Sequence, residues 1–401
     1  MSIKDKLSEA YAPVVPSFIA QILKVATDPT IISFAGGLPN PMSFPVEDFK
    51  VSLNRIVDEY GPALFQYGNT AGLKAFREYL ADKHSKETGI PFTYENVLIV
   101  TGSQQALDLI PRIFINKGDT IIVERPSYLG AFQAFDQYQP SYLTVDLNED
   151  GLDLEQLEQV LSTSNAKFMY LIPSFQNPTG LTYSDENRVK VREILSRYDV
   201  FLVEDDPYGD LRYEGKKPEN IGLGHLKNSC VLGTFSKVAT PGARVGYVIS
   251  EDKEFIHYLT MAKEASDLHS NILVQAMLLD YLKNNDQPAH VQKITELYKT
   301  QAHAMMDAMD EFFPDGVTFT HPQGGMFIWV TLPEGVSSIK LIDRALARKV
   351  MFVPGDPFYL GEHDTNKMRM NFTNADIPTI REGIKRLGEA IREEMAACGL
   401  E

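Results

Sequence analysis

Four short segments hold residue types that can do chemistry together. GTFSKVATPGARVGY at 233–247 crowds Thr234, Ser236, Lys237 and Arg244 into eleven residues. Two hydroxyls and a guanidinium can cradle a phosphate. A lysine held among apolar and cationic neighbours loses basicity and becomes a nucleophile toward a carbonyl; in isolation Lys237 reads as a solvated surface amine. VEDDPYGDLRY at 203–213 sets Asp205 and Asp206 at the end of an apolar run, with Tyr208 three residues beyond Asp205. A carboxylate there is costly without a partner, although an acidic surface turn has the same spelling. PSFQNPTG at 173–180 contains Asn177, whose amide both donates and accepts, inside ordinary turn chemistry. TGSQQALDL at 101–109 opens a helical pattern with Gly102 and Ser103. Free backbone N–H groups at such a start suit a phosphate, and Ser103 also fits as the N-cap of a plain strand–helix turn.

The surrounding pattern supplies elements to hold these segments. VLIVT (97–101), TIIVE (120–124), SYLTVDL (141–147), KFMYLIP (167–173), VFLVEDD (200–206), CVLGTFS (230–236) and RVGYVIS (244–250) predict short strands. Helical spacing appears in SQQALDLIPRIF, YLGAFQAFDQY (128–138) and LDLEQLEQVL (152–161), and a further helix starts at Ser184, a natural N-cap followed by Asp185 and Glu186. Such alternation predicts a mostly parallel sheet covered on both faces, with ligands at the carboxyl ends of its strands. After residue 251 come long helices to about 311, then VTFTHPQGGMFIWVTLP, an alternating strand pair with a Gly-Gly turn. A helix at 337–349, VMFVPG, MRMNFT and a last helix follow. The chain therefore reads as α/β: a large domain over 46–290, a smaller α+β domain over 291–401, and an N-terminal arm over 1–45 broken by six prolines. Phe18, Ile19, Ile22 and Leu23 make that arm too apolar to lie free in water, so it is expected to cover another part of the fold.

The order of the four segments joins them. Asn177 and Asp205 are 28 residues apart, Asp205 and Lys237 are 32 apart, about one strand–helix unit each, so all fall on one edge of the sheet. A phosphate site, a carboxylate for a ring cation, a phenol and an amine nucleophile together describe a pocket for pyridoxal phosphate. From SFAGGLPNP at 33–41 to MRMNFT at 368–373 the chain resembles the fold-type-I pyridoxal-phosphate aminotransferases of class I/II, and within them the 2-aminoadipate, aromatic and kynurenine branch. The resemblance implies a role for each matching residue. Lys237 matches the lysine that carries the cofactor and later moves the Cα proton. Asp205 matches the partner of the pyridine nitrogen, and Tyr208 and Asn177 the groups on the ring 3′-oxygen. Ser103, Gln104, Thr234, Ser236 and Arg244 match phosphate binders, Thr234 standing where serine is usual. Tyr128 matches the aromatic stacked on the ring. Tyr67, in FQYGNTAGLKAFR, matches a tyrosine reaching the neighbouring subunit's phosphate, which implies a homodimer with shared active sites. Gly37 and Arg369, with Asn177, match contacts to the substrate, Arg369 forming the salt bridge to its carboxylate.

The implied activity is transamination between an L-amino acid and a 2-oxo acid such as 2-oxoglutarate. Members favouring acidic substrates often carry an arginine in the arm; here PSFIAQILKV puts Ala20 at that place, with Lys24 the nearest other cation, so aromatic, branched-chain and other neutral donors are expected alongside 2-aminoadipate. A lyase or decarboxylase of the same fold uses the same cofactor groups, and an aminotransferase-like regulatory domain is a remoter alternative that expects a DNA-binding segment before residue 33. The remaining features narrow the class. With 54 acidic against 38 basic residues, net −16, neither nucleic acid nor an anionic membrane is an expected partner. Cys230 and Cys398 make neither a disulfide framework nor a metal site. The N-terminus has no signal-peptide pattern and no run suits a membrane helix, so a cytoplasmic location is expected.

Overall fold

The computed structural model describes residues 3–11, 28–361 and 363–400. The arm residues Phe18, Ile19, Ala20, Ile22, Leu23 and Lys24 lie outside them. Eight strands form the main sheet: β2 (Val97–Val100), β3 (Thr120–Arg125), β4 (Ser141–Asn148), β5 (Gly151–Leu152), β6 (Phe168–Leu171), β7 (Phe201–Asp205), β8 (Ser229–Thr234) and β9 (Gly246–Ile249). Their order is β2-β9-β8-β7-β6-β3-β4-β5. β8, β7, β6, β3 and β4 run parallel, whereas β9 is antiparallel to both β8 and β2. The reversal has a simple cause. Only residues 235–245 join β8 to β9, too few for a crossover helix, so β9 must return on the neighbouring position. That tight connection is the segment carrying Lys237 and Arg244.

β2, β6 and β7 are buried along their whole length, β2 and β6 with unbroken apolar spelling. Helices Ser103–Phe114 and Lys253–Asp267 pack on one another, while Leu154–Thr163 packs with Asp185–Leu195. Ser184 caps the latter helix, its side chain accepting from Asn187 N. The expected helix at 128–138 is a shorter Leu129–Phe135 followed by a 3₁₀ turn, and Leu152 belongs to the two-residue β5 rather than to the next helix.

A second sheet of four strands, in the order β10-β11-β14-β13, is built from β10 (Thr318–Phe319), β11 (Phe327–Thr331), β13 (Val353–Pro354) and β14 (Lys367–Asn371). VMFVPG does not form one strand. Its first half, β12 (Val350–Met351), pairs instead with β1 (Ile32–Ser33) in a two-stranded sheet, so the described end of the arm is laced to the C-terminal part of the chain. The 26-residue helix Gln287–Phe312 packs on Ile377–Ala397, and the division drawn at residue 290 falls in its first turn. The segment following Asp205 crosses to the second sheet. Gly325 N donates to Leu211 O at 2.9 Å, Tyr213 N donates to Gln323 O at 3.0 Å, and Tyr213 Oη donates to Pro322 O at 2.6 Å. Among the described residues no helix is long and apolar enough to cross a membrane.

Candidate active site

Asp205 ends β7, Thr234 ends β8, and Asn177, Tyr128 and Ser103 follow β6, β3 and β2 within a few residues. The carboxyl edge of the sheet therefore brings the predicted residues together. They line two adjoining cavities. One, about 270 Å³, is bounded by Ser103, Gln104, Asp205, Thr234, Ser236 and Arg244. The other, about 160 Å³, is bounded by Gly37, Leu38, Leu129, Phe327, Val353 and Arg369. Tyr128, Asn177, Tyr208 and Lys237 line both and form the wall between them. A larger groove of about 1200 Å³ lies at the opposite edge, where β6, β7 and β8 begin, and none of the sequence-predicted site residues lines it.

Lys237 Nζ donates to Gly37 O at 2.9 Å. Burial, reinforced by the charges of Arg369 and Arg244, lowers its pKa to about 8. Asp205 is 2% exposed. Its Oδ2 accepts from Tyr170 Oη at 2.8 Å, while Oδ1 is buried with no partner among the described residues. Burial pushes this carboxyl up to about 7, against the Tyr170 hydrogen bond, which holds it down. Neighbouring Asp206 turns away and caps its own loop, Oδ1 accepting from Gly209 N at 2.9 Å.

Asn177 uses both ends of its amide. Nδ2 donates to Tyr208 Oη at 3.3 Å, and Oδ1 accepts from Arg369 Nη1 at 2.8 Å. Arg369 Nη2 donates to Ala35 O at 2.8 Å, and its guanidinium lies over Phe327 at 4.3 Å and Phe358 at 5.2 Å. Burial lowers its pKa to about 10, so it remains a cation near neutrality, with Nε buried and unpaired among the described residues. Burial likewise raises the phenols Tyr128 and Tyr208, which stay protonated.

At the other end of the larger cavity Ser103 opens a helix whose N-cap is Gly102, not Ser103, at φ +72. A Cβ on Gly102 would collide with Arg244 Nη2, so glycine both permits the backbone turn and leaves the guanidinium room beside the helix start. Arg244 Nη1 donates to Ser236 Oγ at 3.3 Å, and Thr234 Oγ1 donates to Ser236 Oγ at 3.0 Å. Gln104 spends its side-chain N–H on Gly130 O at 2.8 Å. Tyr67 is the exception to this convergence: it lines neither cavity, is 79% exposed, and rests edge-on against His269 at 5.8 Å.

Two buried residues absent from the sequence reading support the site. Tyr170 holds Asp205, and Glu124, at the end of β3, accepts from Ile172 N at 3.0 Å, Tyr183 Oη at 2.5 Å and Gln176 Nε2 at 3.1 Å. Gln176 Nε2 also donates to Pro126 O at 2.8 Å, so Glu124 and Gln176 tie the turn of Tyr128 to that of Asn177. Tyr170 sits inside an apolar strand run and Glu124 closes one, and only strand register, which spelling does not give, reveals what they face.

Residues 38–387 match the family model for "Aminotransferase class I and II". Aromatic-amino-acid aminotransferase 1 of Thermococcus litoralis is 41% identical over 94% of this chain and 92% of its own length. The 2-aminoadipate transaminase of Thermus thermophilus is 38% identical over 95% of both chains. The crystal structure of Pyrococcus horikoshii kynurenine aminotransferase, in complex with PMP, superposes with a TM-score of 0.93 at 40% identity, covering 98% of each chain.

Proposed function

The chain belongs to the class I and II aminotransferases, and from that premise we propose that it transfers the amino group of aromatic and other neutral amino acids, with 2-aminoadipate no better a donor. The reaction class follows from the family: an amino group passes between an amino acid and a 2-oxo acid, with pyridoxal 5′-phosphate as cofactor. The residues present fit that cofactor. The orphaned Asp205 Oδ1 offers an acceptor for a protonated ring nitrogen, and the Gly102 turn with Arg244, Ser236 and Thr234 offers a phosphate cradle.

When bound, the cofactor supplies a carbonyl carbon for the amino group and a ring that draws electrons from the substrate Cα. Everything else falls to the side chains. Lys237, its pKa brought to about 8, is partly neutral at working pH and able to hold the proton taken from Cα. Asp205, once it faces a cation, stays ionised and keeps the proton on the ring nitrogen. Tyr208 and Asn177 stand together to bond the ring 3′-oxygen, and Tyr128 supplies the aromatic face. Arg369 takes the substrate carboxylate in a two-point clamp and so orients the Cα–H bond.

The choice of donor rests on one observation. The smaller cavity is walled by Leu38, Leu129, Phe327 and Val353, and Arg369 and Lys237 are its only cations among the described residues. A distal carboxylate finds no third positive partner there, while an apolar or aromatic side chain finds buried surface. Within the same reading, Tyr67 completes the phosphate site of a second subunit. In support, it is exposed, as are Phe65 and Tyr60 before it in the chain, and it lines neither of its own chain's site cavities. The division into an arm, a larger and a smaller domain belongs to this reading too. Steady-state kcat/KM for leucine, phenylalanine and tyrosine, each divided by that for 2-aminoadipate, tests the specificity. Ratios of one or more are expected, with modest spread because apolar pockets separate similar side chains by only ~1–3 kcal/mol; ratios far below one overturn it.

A further inference from the structure

Tyr170 is fully buried in β6, its ring edge-on to Phe135 at 5.5 Å. β6 and β7 are parallel, with Tyr170 opposite Val203. Paired residues share a face and alternate residues of one strand share it too. Tyr170 therefore lies on the face of Val203 and Asp205, one step diagonally from the carboxylate, and Glu204 points the other way into its own cage of Ile221 N, Gly222 N and Asn220. A phenol has a single proton to give, and this one goes to Asp205 Oδ2.

We propose that Tyr170 is the positioning residue for Asp205, spending its hydroxyl on Oδ2 so that Oδ1 alone is presented to the ring nitrogen of the cofactor. The proposal rests on the reading of Asp205 given above. Two features favour a positioning role over mere packing. Among the described residues the hydroxyl is the only hydrogen-bond partner of a buried carboxylate, so without it neither oxygen is fixed. A donor to Oδ2 also favours the ionised form, the form that can keep a proton on the ring. The other titratable groups around the carboxylate supply no donor to it: Glu124 from β3 and Asp206 from beyond β7 repel its charge, Cys230 on β8 is held as a neutral thiol by burial, and Tyr128 and Tyr208 keep their protons.

The test compares Tyr170→Phe with wild type as loaded enzyme, since phenylalanine keeps the ring against Phe135 and removes only the hydroxyl. Two quantities besides turnover are read: the dissociation constant of pyridoxal 5′-phosphate, and the pH midpoint of the bound cofactor's absorbance change. Loss of a hydrogen bond to a charged group predicts roughly a tenfold weaker cofactor and a midpoint raised by about one pH unit. An unchanged midpoint and affinity overturn the proposal and leave Tyr170 as packing. Should Tyr170→Phe fail to fold, the same change is made in an Asp205→Ala background, where no buried charge is stranded and no acceptor at residue 205 is left for the phenol. If Tyr170 acts through Asp205, it then has no further effect on cofactor affinity; a full additional loss overturns the proposal. Asp205→Asn alone with wild-type cofactor affinity would instead refute the assignment of Asp205, which separates the two failures.

Discussion

Replacing Asp205 by asparagine should stabilise the empty protein at alkaline pH while disabling the loaded one. In the fold the carboxyl pKa rises from 3.8 to about 7, chiefly through burial. A rise of about three pH units corresponds to about 4 kcal/mol at ~1.4 kcal/mol per unit. The sign follows from proton counts. Between about pH 4 and pH 7 the native carboxyl holds a proton that the unfolded chain has released, so the native state binds more protons and stability falls as pH rises; above pH 7 the loss is complete. Asparagine has no such slope. It keeps an acceptor for Tyr170 but strands its own N–H groups, at a cost of ~1–3 kcal/mol. Net, the cofactor-free variant should exceed wild type by about 1–3 kcal/mol at pH 8.5, and the advantage should shrink by about 2 kcal/mol on lowering the pH to 5.5, still above the pI near 5.0. Urea unfolding of both apo-proteins across that range measures it. Taking the difference between the two proteins cancels the parallel contribution of Glu124, also raised to about 7 by burial. Parallel stability curves would show that Asp205 carries no buried-charge penalty, and the reasoning about its free oxygen would fall with them.

Arg369→Lys should cut kcat/KM for every amino and 2-oxo acid by roughly ten- to a hundredfold, the loss of a charge-assisted hydrogen bond and of fork geometry, mostly through KM and with cofactor affinity kept; unchanged KM for both substrates would remove the clamp. Tyr67→Phe chains mixed with Lys237→Ala chains should give heterodimers with one intact site and one doubly damaged one, so mixing should raise activity above the average of the separate pools; the plain average would place Tyr67 in its own chain's site.

Much of this site is legible in the spelling because parallel strands end on one edge, and residues a strand–helix unit apart must meet there. That spacing brings Asp205, Asn177 and Lys237 together, while their roles toward a cofactor come from the resemblance. Tyr170 escaped because it stands inside an apolar run, where strand and core explain every residue equally well, and Glu124 because a carboxylate closing TIIVE reads as a plain strand end. Their value lies in which neighbour they face across the sheet, a matter of register. Arg369 was reached only through resemblance, since an arginine in a strand of a second sheet, 132 residues after Lys237, has no local signature. The split of VMFVPG between two sheets was hidden for a related reason: six residues carry one strand's pattern, and only the partner strand β1, over 300 residues earlier, divides them.

The tie between the Asp205 segment and the hairpin before β11 bears on how this enzyme can change. Leu211 O accepts from Gly325 N, and a Cβ on Gly324 would come within 2.5 Å of that same oxygen. Two residues beyond Gly325, Phe327 forms a wall of the smaller cavity and meets Tyr208 edge-on at 5.7 Å. On the roles proposed for Asp205, Tyr208 and Phe327, a change of donor pocket and a change in the cofactor's electronics would come together. Laboratory selection that remodels the 322–327 hairpin to admit bulkier donors will also retune the colour and acidity of the bound cofactor. Variants sorted by hue alone should therefore be enriched in altered substrate range.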